Sequence, residues 1–301
     1  MDRFDAMRVL CTVIEAGSFV AAADRLGQST TAVSRLVAQL EAHLNVRLLN
    51  RTTRRMQPTT EGFAYFERCT QLLADLEEAE AGITGEARQP RGRLRLTAPI
   101  ALATLRLAPA FAAFSRQYPE ITLDLVLSDN VADFVDEGLD LAIRVGRVGS
   151  DNLVARHVAD TELLIAASPD YLQRAGAPVH PEQLTRHACF TYTYSATGNH
   201  WQFEALDGTP VSVRIGGPVN ANNGVLLAEM AVAGGGIVLA PCFILQPLIA
   251  SGRLQRLLPD WRLRQLPIHV VYPTRRHLSA KVQAMTAFLA DWFARHPAPL
   301  S

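Results

Sequence analysis

Lysine is almost absent from this chain: Lys281 is its sole lysine among 29 basic residues, and every other cation is an arginine. We read that skew chiefly as genome composition. Cysteine is scarce too, with Cys11, Cys69, Cys189 and Cys242 scattered and no CxxC spacing. That pattern indicates neither a zinc site nor a disulfide framework, and buried reduced thiols are expected. Cys189 and Cys242 remain a redox pair only if the fold brings them together. No apolar stretch approaches the ~20 residues of a membrane span. The N-terminus, with acidic Asp2 and apolar residues interspersed with charge, does not read as a signal peptide, so a cytoplasmic location is expected.

Enzyme signatures are missing as well. None of the eight histidines forms HExxH or a close pair at metal-ligand spacing, and GxSxG does not occur. Gly234-Gly235-Gly236 follows a helical pattern and precedes a strand pattern. A phosphate-cradling loop needs the order strand, glycines, helix, so these glycines read as a helix stop. Carboxylates cluster between residues 59 and 90, but a solvated helix lacks the burial that tunes them for acid–base work. No catalytic residue, metal or cofactor is therefore expected, and an enzyme is the weakest class.

The formal net charge of +0 hides an asymmetry. Residues 1–58 carry eight arginines against five acids, whereas residues 59–90 carry two arginines against seven acids. A positive field confined to one end suits a polyanion-binding head. At 301 residues with 49% hydrophobic content, two or three domains with real cores are expected.

The most informative run is Ser18 to Glu41, SFVAAADRLGQSTTAVSRLVAQLE. Ser18 suits the start of a helix carrying Val20, Ala23 and Leu26, and Gly27 suits its left-handed stop. Ser29 can cap a second helix in which Val33, Leu36, Val37 and Leu40 form one apolar stripe. The Ala22-Ala23 pair permits a close crossing, and an upstream helix, Phe4 to Glu15, can complete a three-helix core. Gln28, Ser29, Thr30, Thr31, Ser34 and Arg35 then lie on or beside the outward face. Hydroxyls there can meet bases or phosphates, and an arginine can reach guanine. Alone this is an ordinary helical hairpin. The arginine-dense segment after it shifts the balance: Leu44 to Arg51 and Thr52 to Pro58 alternate like a two-stranded wing. Arg51, Thr52 and Arg54 would lie along a phosphate backbone.

AVSRLVAQLEAHLNVRLLNRTTRRMQPTTEG resembles the N-terminal signature of LysR-type transcriptional regulators: AVS-R-x-I/V-x-x-L-E-x-x-L-G, then L-F-x-R-x-x-R and L-T-x-A-G. The chain departs from it at Asn45 for glycine, at Leu49 for an aromatic, and at Pro58-Thr59-Thr60-Glu61-Gly62. Asn tolerates the left-handed conformation a glycine would supply. The resemblance spans the whole chain.

From residue 60 to about 86, Tyr65, Cys69, Leu72, Leu76, Ala79 and Ile83 are spaced as a heptad seam in a mostly polar helix. Such a helix would be roughly 40 Å long. The seam suits either its own chain or a second copy, and the resemblance implies a homodimer through it, assembling to a homotetramer. Residues 86–92 read as a polar hinge.

Beyond Arg93 strand and helix patterns alternate: strands at 93–97, 121–127, 139–145, 163–167, 188–194, 211–215, 237–240 and 268–272. Helices follow Pro99 and cover 131–137 and 281–294. This is an α/β arrangement, in which ligands sit beyond strand C-termini at helix N-termini. The resemblance implies a winged helix-turn-helix (1–58), a linker helix and hinge (59–90), and a two-lobed periplasmic-binding-protein-like (type 2) effector domain (91–301). Lobe I would hold about 91–162 and 268–301, and lobe II about 163–267.

The cleft between lobes would be lined by Thr97 and Ile100, where helix amides favour an anion. Ser128, Asn130 and Arg144 of the DLAIRVG motif join them, with Tyr192, Asn220, Asn222 and Asn223 from the other lobe. Each has a plain structural alternative, since Thr, Ser and Asn commonly cap helices. The expected function is a regulator that binds double-stranded promoter DNA and is switched by a small-molecule effector, an organic anion or an aromatic. RNA polymerase is a further partner, and no membrane is involved. The alternative is a small-solute-binding protein with a degenerate DNA-binding head.

Overall fold

Three short polar side chains set the starts of the first three helices. In the computed structural model, Asp2 accepts from the Phe4 amide at 2.9 Å and opens α1 (Arg3–Ala16). Ser18 accepts from the Val20 amide and opens α2 (Phe19–Leu26), and Ser29 accepts from the Ala32 amide and opens α3 (Thr30–Leu44). Gly17, Gly27 and Asn45 end these helices in the left-handed region, Asn45 with φ 52°. The departure at Asn45 is thus filled by the non-glycine residue best suited to that conformation. Ala6, Val9, Leu10, Val13, Ala22, Ala23, Val33, Val37 and Leu40 form the enclosed core, closed by Leu48 and Leu49. Leu36, placed on the buried stripe by its spacing, only half enters it.

The structure describes residues 2–51, 56–84, 90–130, 138–148, 153–273 and 278–296. The chain divides into two units, Met1–Gln89 and Pro90–Ser301. The expected helix at 131–137, Thr52, Arg54 and most of the hinge lie outside the described residues.

The wing is shorter than its alternation suggested. β1 (Leu49–Arg51) pairs antiparallel with β2 (Met56–Pro58), and Leu44 belongs to α3 instead. Asn45 stops the helix, and the Glu41 carboxylate then accepts from the amides of Leu48 (2.8 Å) and Leu49 (3.1 Å), fixing where the strand begins. α4 (Thr60–Thr84) follows at once. Its expected seam divides: Cys69 is fully buried and Tyr65 packs against α1, whereas Leu72 is 50% exposed and Leu73 takes the inward position. The first turns of the seam are therefore spent on their own chain, because α1 offers Met7 and Cys11 as a facing apolar surface.

In the second unit β3 (Gly92–Ala98) runs into α5 (Ile100–Leu102), a π-helical turn (Ala103–Leu107) and α6 (Ala108–Gln117). β4 (Ile121–Leu127) and β5 (Leu141–Val145) pair with β3, both parallel. β6 (Leu153–Ala167) is fifteen residues long, far longer than the 163–167 segment its composition marks. Its exposed first half hides the strand from hydrophobic patterning. After β6 come α7 (Pro169–Ala175), a 3-10 turn (Pro181–Arg186), β7 (Thr191–Tyr192), β8 (His200–Glu204), β9 (Pro210–Arg214) and β10 (Asn220–Ala221). Then follow α8 (Gly224–Val232), β11 (Val238–Pro241), α9 (Cys242–Ala250), β12 (Gln255–Arg256), β13 (Arg262–Leu263), β14 (Gln265–Pro273) and α10 (Ala280–Arg295).

The main sheet has the order β11-β6-β14-β5-β3-β4, with β12 also on β6. The two longest strands carry the chain across it. β6 pairs with β14 through Glu162 and with β11 from Leu163 onward, both antiparallel. A smaller sheet, β13-β8-β9, covers the second core around Trp201, Phe203 and Leu257. Lys281 ties α10 to the first sheet: its ammonium is 3.1 Å from Asp140 and donates to the Arg93 carbonyl at 2.7 Å. Cys189 and Cys242 are buried in different cores, so the pair left open by the sequence is not assembled.

Candidate nucleic-acid interface and ligand cavity

The outward surface of α3 is polar by construction. Because Val33, Val37 and Leu40 are consumed by the core, Thr30, Thr31 and Arg35 are left exposed and Ser34 half-exposed. Gln28 and Ser29 are exposed just before them, Ser29 spending its hydroxyl on the cap. These six positions therefore form one face at the start of a capped helix. Arg51 lies at the end of β1; its side chain, Thr52 and Arg54 are outside the described residues. Sequence reasoning missed the two residues that fix the wing's flanks, Glu41 before β1 and Thr59 after β2. The Thr59 hydroxyl donates to the Arg47 carbonyl (2.8 Å) and accepts from the Gly62 amide (2.9 Å), capping α4. A residue three before Gly62 and able to cap was the available signal.

The second unit contains a cavity of about 1210 Å³. Pro99, Ala101, Leu102, Asp129, Arg144, Arg147 and Val148 line it. So do Tyr192, Tyr194, Thr197, His200, Trp201, Phe243, Ile244 and Arg264. Among the described residues its walls are mainly apolar and aromatic, with three arginines against one carboxylate. A volume of this kind accommodates a small organic molecule, and its cations favour an anionic one.

Of the residues expected here, Arg144 and Tyr192 line the cavity. Burial, together with Asp129 and Tyr194 nearby, pushes the Tyr192 hydroxyl up, so it stays a neutral donor. Its ring meets Tyr194 edge-on at 5.9 Å. The others do not line it. Thr97 is fully buried, and its hydroxyl has no hydrogen-bond partner among the described residues. The Ser128 hydroxyl accepts from the Asn130 amide, and Asn223 caps α8 by accepting from the Leu226 amide. Asn220 accepts from the hydroxyls of Thr191 and Thr193, and Asn222 is exposed beside it.

The anion expected at the start of the helix is already present. Asp129, which sequence reasoning passed over, accepts from the Ile100 amide at 3.1 Å. Burial raises its carboxyl above the ordinary carboxylate value, against the opposing pull of that amide and of Arg144. The helix start is thus satisfied by the chain's own carboxylate, and that carboxylate faces the cavity.

Residues 4–63 match the family model for the bacterial regulatory helix-turn-helix protein, lysR family, and residues 87–294 match that for the LysR substrate binding domain. An HTH-type transcriptional repressor of Pseudomonas aeruginosa strain UCBPP-PA14 is 35% identical over 298 residues, covering 99% of this chain and 94% of its own. The regulator CrgA of Neisseria meningitidis serogroup B is 33% identical, covering 95% and 96%. A solved structure of CrgA from the same species superposes with TM-score 0.60 at 32% identity, over 96% of this chain and 98% of that one. Full-length AphB, the Vibrio cholerae virulence activator, does so with TM-score 0.60 at 29% identity, over 96% and 99%. With both of its parts matched in order and relatives aligned along nearly its whole length, the chain belongs to the LysR family of transcriptional regulators.

Proposed function

We propose that α3 and the wing read a pseudo-palindromic promoter site and that an anionic, partly aromatic small molecule in the cavity controls that reading. The observation that carries the second half is the lining itself: Arg144, Arg147 and Arg264 around Tyr192 and Tyr194, with Asp129 as the carboxylate. In the head, Gln28, Ser29, Thr30, Thr31, Ser34 and Arg35 would meet the major groove, and Arg51, Thr52 and Arg54 the backbone. Residues 1–58 act as the head, 59–90 as the linker and 91–301 as the effector domain.

Dimerisation through α4 places two heads on two half-sites. Phe63 and Leu72 are exposed apolar side chains there, at 51% and 50%. Pairing of dimers to a homotetramer, contact with RNA polymerase and a cytoplasmic setting complete the reading, and the protein performs no catalysis. No described helix is long and apolar enough to cross a membrane. The effector acts only if it binds two arrangements of the lobes unequally.

Footprinting on the DNA upstream of the protein's own gene tests the reading. Protection should be salt-sensitive and weakened by Arg35→Ala. Absence of any protected promoter DNA at low salt would refute it. Anion binding is tested separately by calorimetry with aromatic and aliphatic carboxylates, comparing the wild type with Arg144→Ala.

A further inference from the structure

We propose that Cys11 and Cys69 are a redox-modifiable dithiol that closes to an intramolecular disulfide, stapling α1 to α4. The two thiols come from opposite ends of the N-terminal unit's sequence. They meet in one small pocket with Leu73, against Met7, Tyr65 and Phe66. Cys11 is 7% exposed and Cys69 is fully buried. Cys11 Sγ lies 3.7 Å from the hydroxyl of Thr70, the residue after Cys69.

The pair is asymmetric. Hydrogen bonds from Cys11 and from the Tyr65 hydroxyl hold the Cys69 thiol below its usual value, although burial opposes them. Cys11 is pushed up by the same hydrogen bond and by burial, and burial pushes Tyr65 up to about 12. We assign the attacking role to Cys69 and the resolving role to Cys11, an order that the Cys11→Ser variant tests. Cys189, by contrast, is raised to about 12 by burial and donates only to the Leu184 carbonyl.

A small hydroperoxide is the oxidant that fits so enclosed a site. The Cys69 thiolate attacks one peroxide oxygen, and the other departs with a proton as water or alcohol. The sulfenic acid left on Cys69 is attacked by the Cys11 sulfur, which gives up its proton. Hydroxide leaves from Cys69 and takes that proton as water. Two thiols lose two electrons in total, and one peroxide gains them. The cross-link encloses α2, α3 and the wing in one covalent loop and fixes α4 against α1. Under the regulator reading this would limit how the heads adjust to half-site spacing, but the thiol chemistry itself requires no DNA.

Full-length protein, freed of reductant, is treated with hydrogen peroxide, denatured, alkylated with N-ethylmaleimide and mapped by mass spectrometry. Two of the four thiols should be lost to alkylation, with one peptide joining Cys11 to Cys69. The melting temperature of the first unit should rise by roughly 10 °C and fall back with dithiothreitol. Cys189→Ala/Cys242→Ala should behave as the wild type, and Cys11→Ser should leave a sulfenic acid on Cys69 that dimedone traps. Four alkylatable thiols after oxidation, or a link through Cys189 or Cys242, would overturn the proposal. The wild-type map decides this even if a serine variant fails to fold, and it is independent of whether the protein binds promoter DNA.

Discussion

Replacing Gly62 by alanine should unfold the junction between the wing and α4. A Cβ built there lies 1.9 Å from the Leu48 carbonyl oxygen and 2.7 Å from its carbon, both backbone atoms that no rotamer change can move aside. The strand end and the helix start must part by more than roughly 1 Å to reach ordinary contact. That separation breaks the bond from the Thr59 amide to the Leu48 carbonyl (2.9 Å) and disturbs both bonds of the Thr59 hydroxyl. Overpacking costs about 1–3 kcal/mol and each lost hydrogen bond about 1 kcal/mol. The gain in helix propensity returns at most about 1 kcal/mol. A net loss of about 2–4 kcal/mol in a unit of this size lowers its melting temperature by roughly 10–25 °C. Gly17→Ala is the control, since it has open space around its Cβ and only its φ of +65° to strain it; it should cost about 1 kcal/mol. Circular dichroism melts of the two variants, with a gel shift at low temperature, check this. A Gly62→Ala protein that melts within a few degrees of wild type would show that the close approach at Leu48 is not a constraint.

Four further outcomes follow from the same geometry. Arg35→Ala should weaken operator binding by about 1–3 kcal/mol and relax the preference at one base pair while leaving the salt slope nearly unchanged, readable by gel shifts across single-base operator variants. Lys281→Met should destabilise the second unit by about 3–5 kcal/mol in denaturant melts, because it strands the buried Asp140 carboxylate; Asp140→Asn in the same background should recover part of the loss. Thr97→Val removes a buried hydroxyl that has no partner among the described residues and should be neutral or stabilising by up to about 1 kcal/mol; a large loss of effector response would instead show that the ligand reaches Thr97. Asp129 has its folded-state pKa raised by burial, so the folded protein holds that proton more tightly than the unfolded chain. Its favourable contribution is present below the ordinary carboxylate pKa and lost as pH rises through the raised value. Asp129→Asn should therefore stabilise at pH 7 with a benefit that fades towards about pH 4, as melts across that range would show.

Local rules made the head legible. Ser18, Gly27, Ser29 and Asn45 act on their immediate neighbours, so the ends of α2 and α3 could be placed from the sequence. The partners of Glu41 lie seven and eight residues away, after the chain has turned, and no periodicity marks them. The same limit explains α4. A heptad seam records that a helix has an apolar side but not which surface covers it. Only the fold shows that α1 takes Tyr65 and Cys69 and leaves Leu72 exposed. In the second unit, β6 escaped because its first half is a run of exposed and half-exposed residues that reads as a loop. β8 was missed because its burial rests on Trp201 and Phe203 alone.

The cavity shows the deeper limit. A helix starting beyond a parallel strand favours negative charge, and that rule correctly marks the Ile100 amide. It does not say whose charge arrives. Asp129, twenty-nine residues on, reaches back and supplies it. The residues chosen as ligands for their position near strand ends, Ser128, Asn130, Asn220 and Asn223, hold loops and helix starts instead. They thereby leave the cavity walls to Arg144, Tyr192 and side chains contributed from farther along the chain. Among the described residues, an anionic ligand entering there meets three arginines and one half-buried carboxylate whose ionisation burial disfavours. Protonation of Asp129 would remove the repulsion, and burial already shifts it in that direction, so ligand binding and proton uptake at this one residue are coupled in the same direction. Removing the charge by Asp129→Asn should then raise affinity for anions at neutral pH and abolish the proton uptake that accompanies their binding.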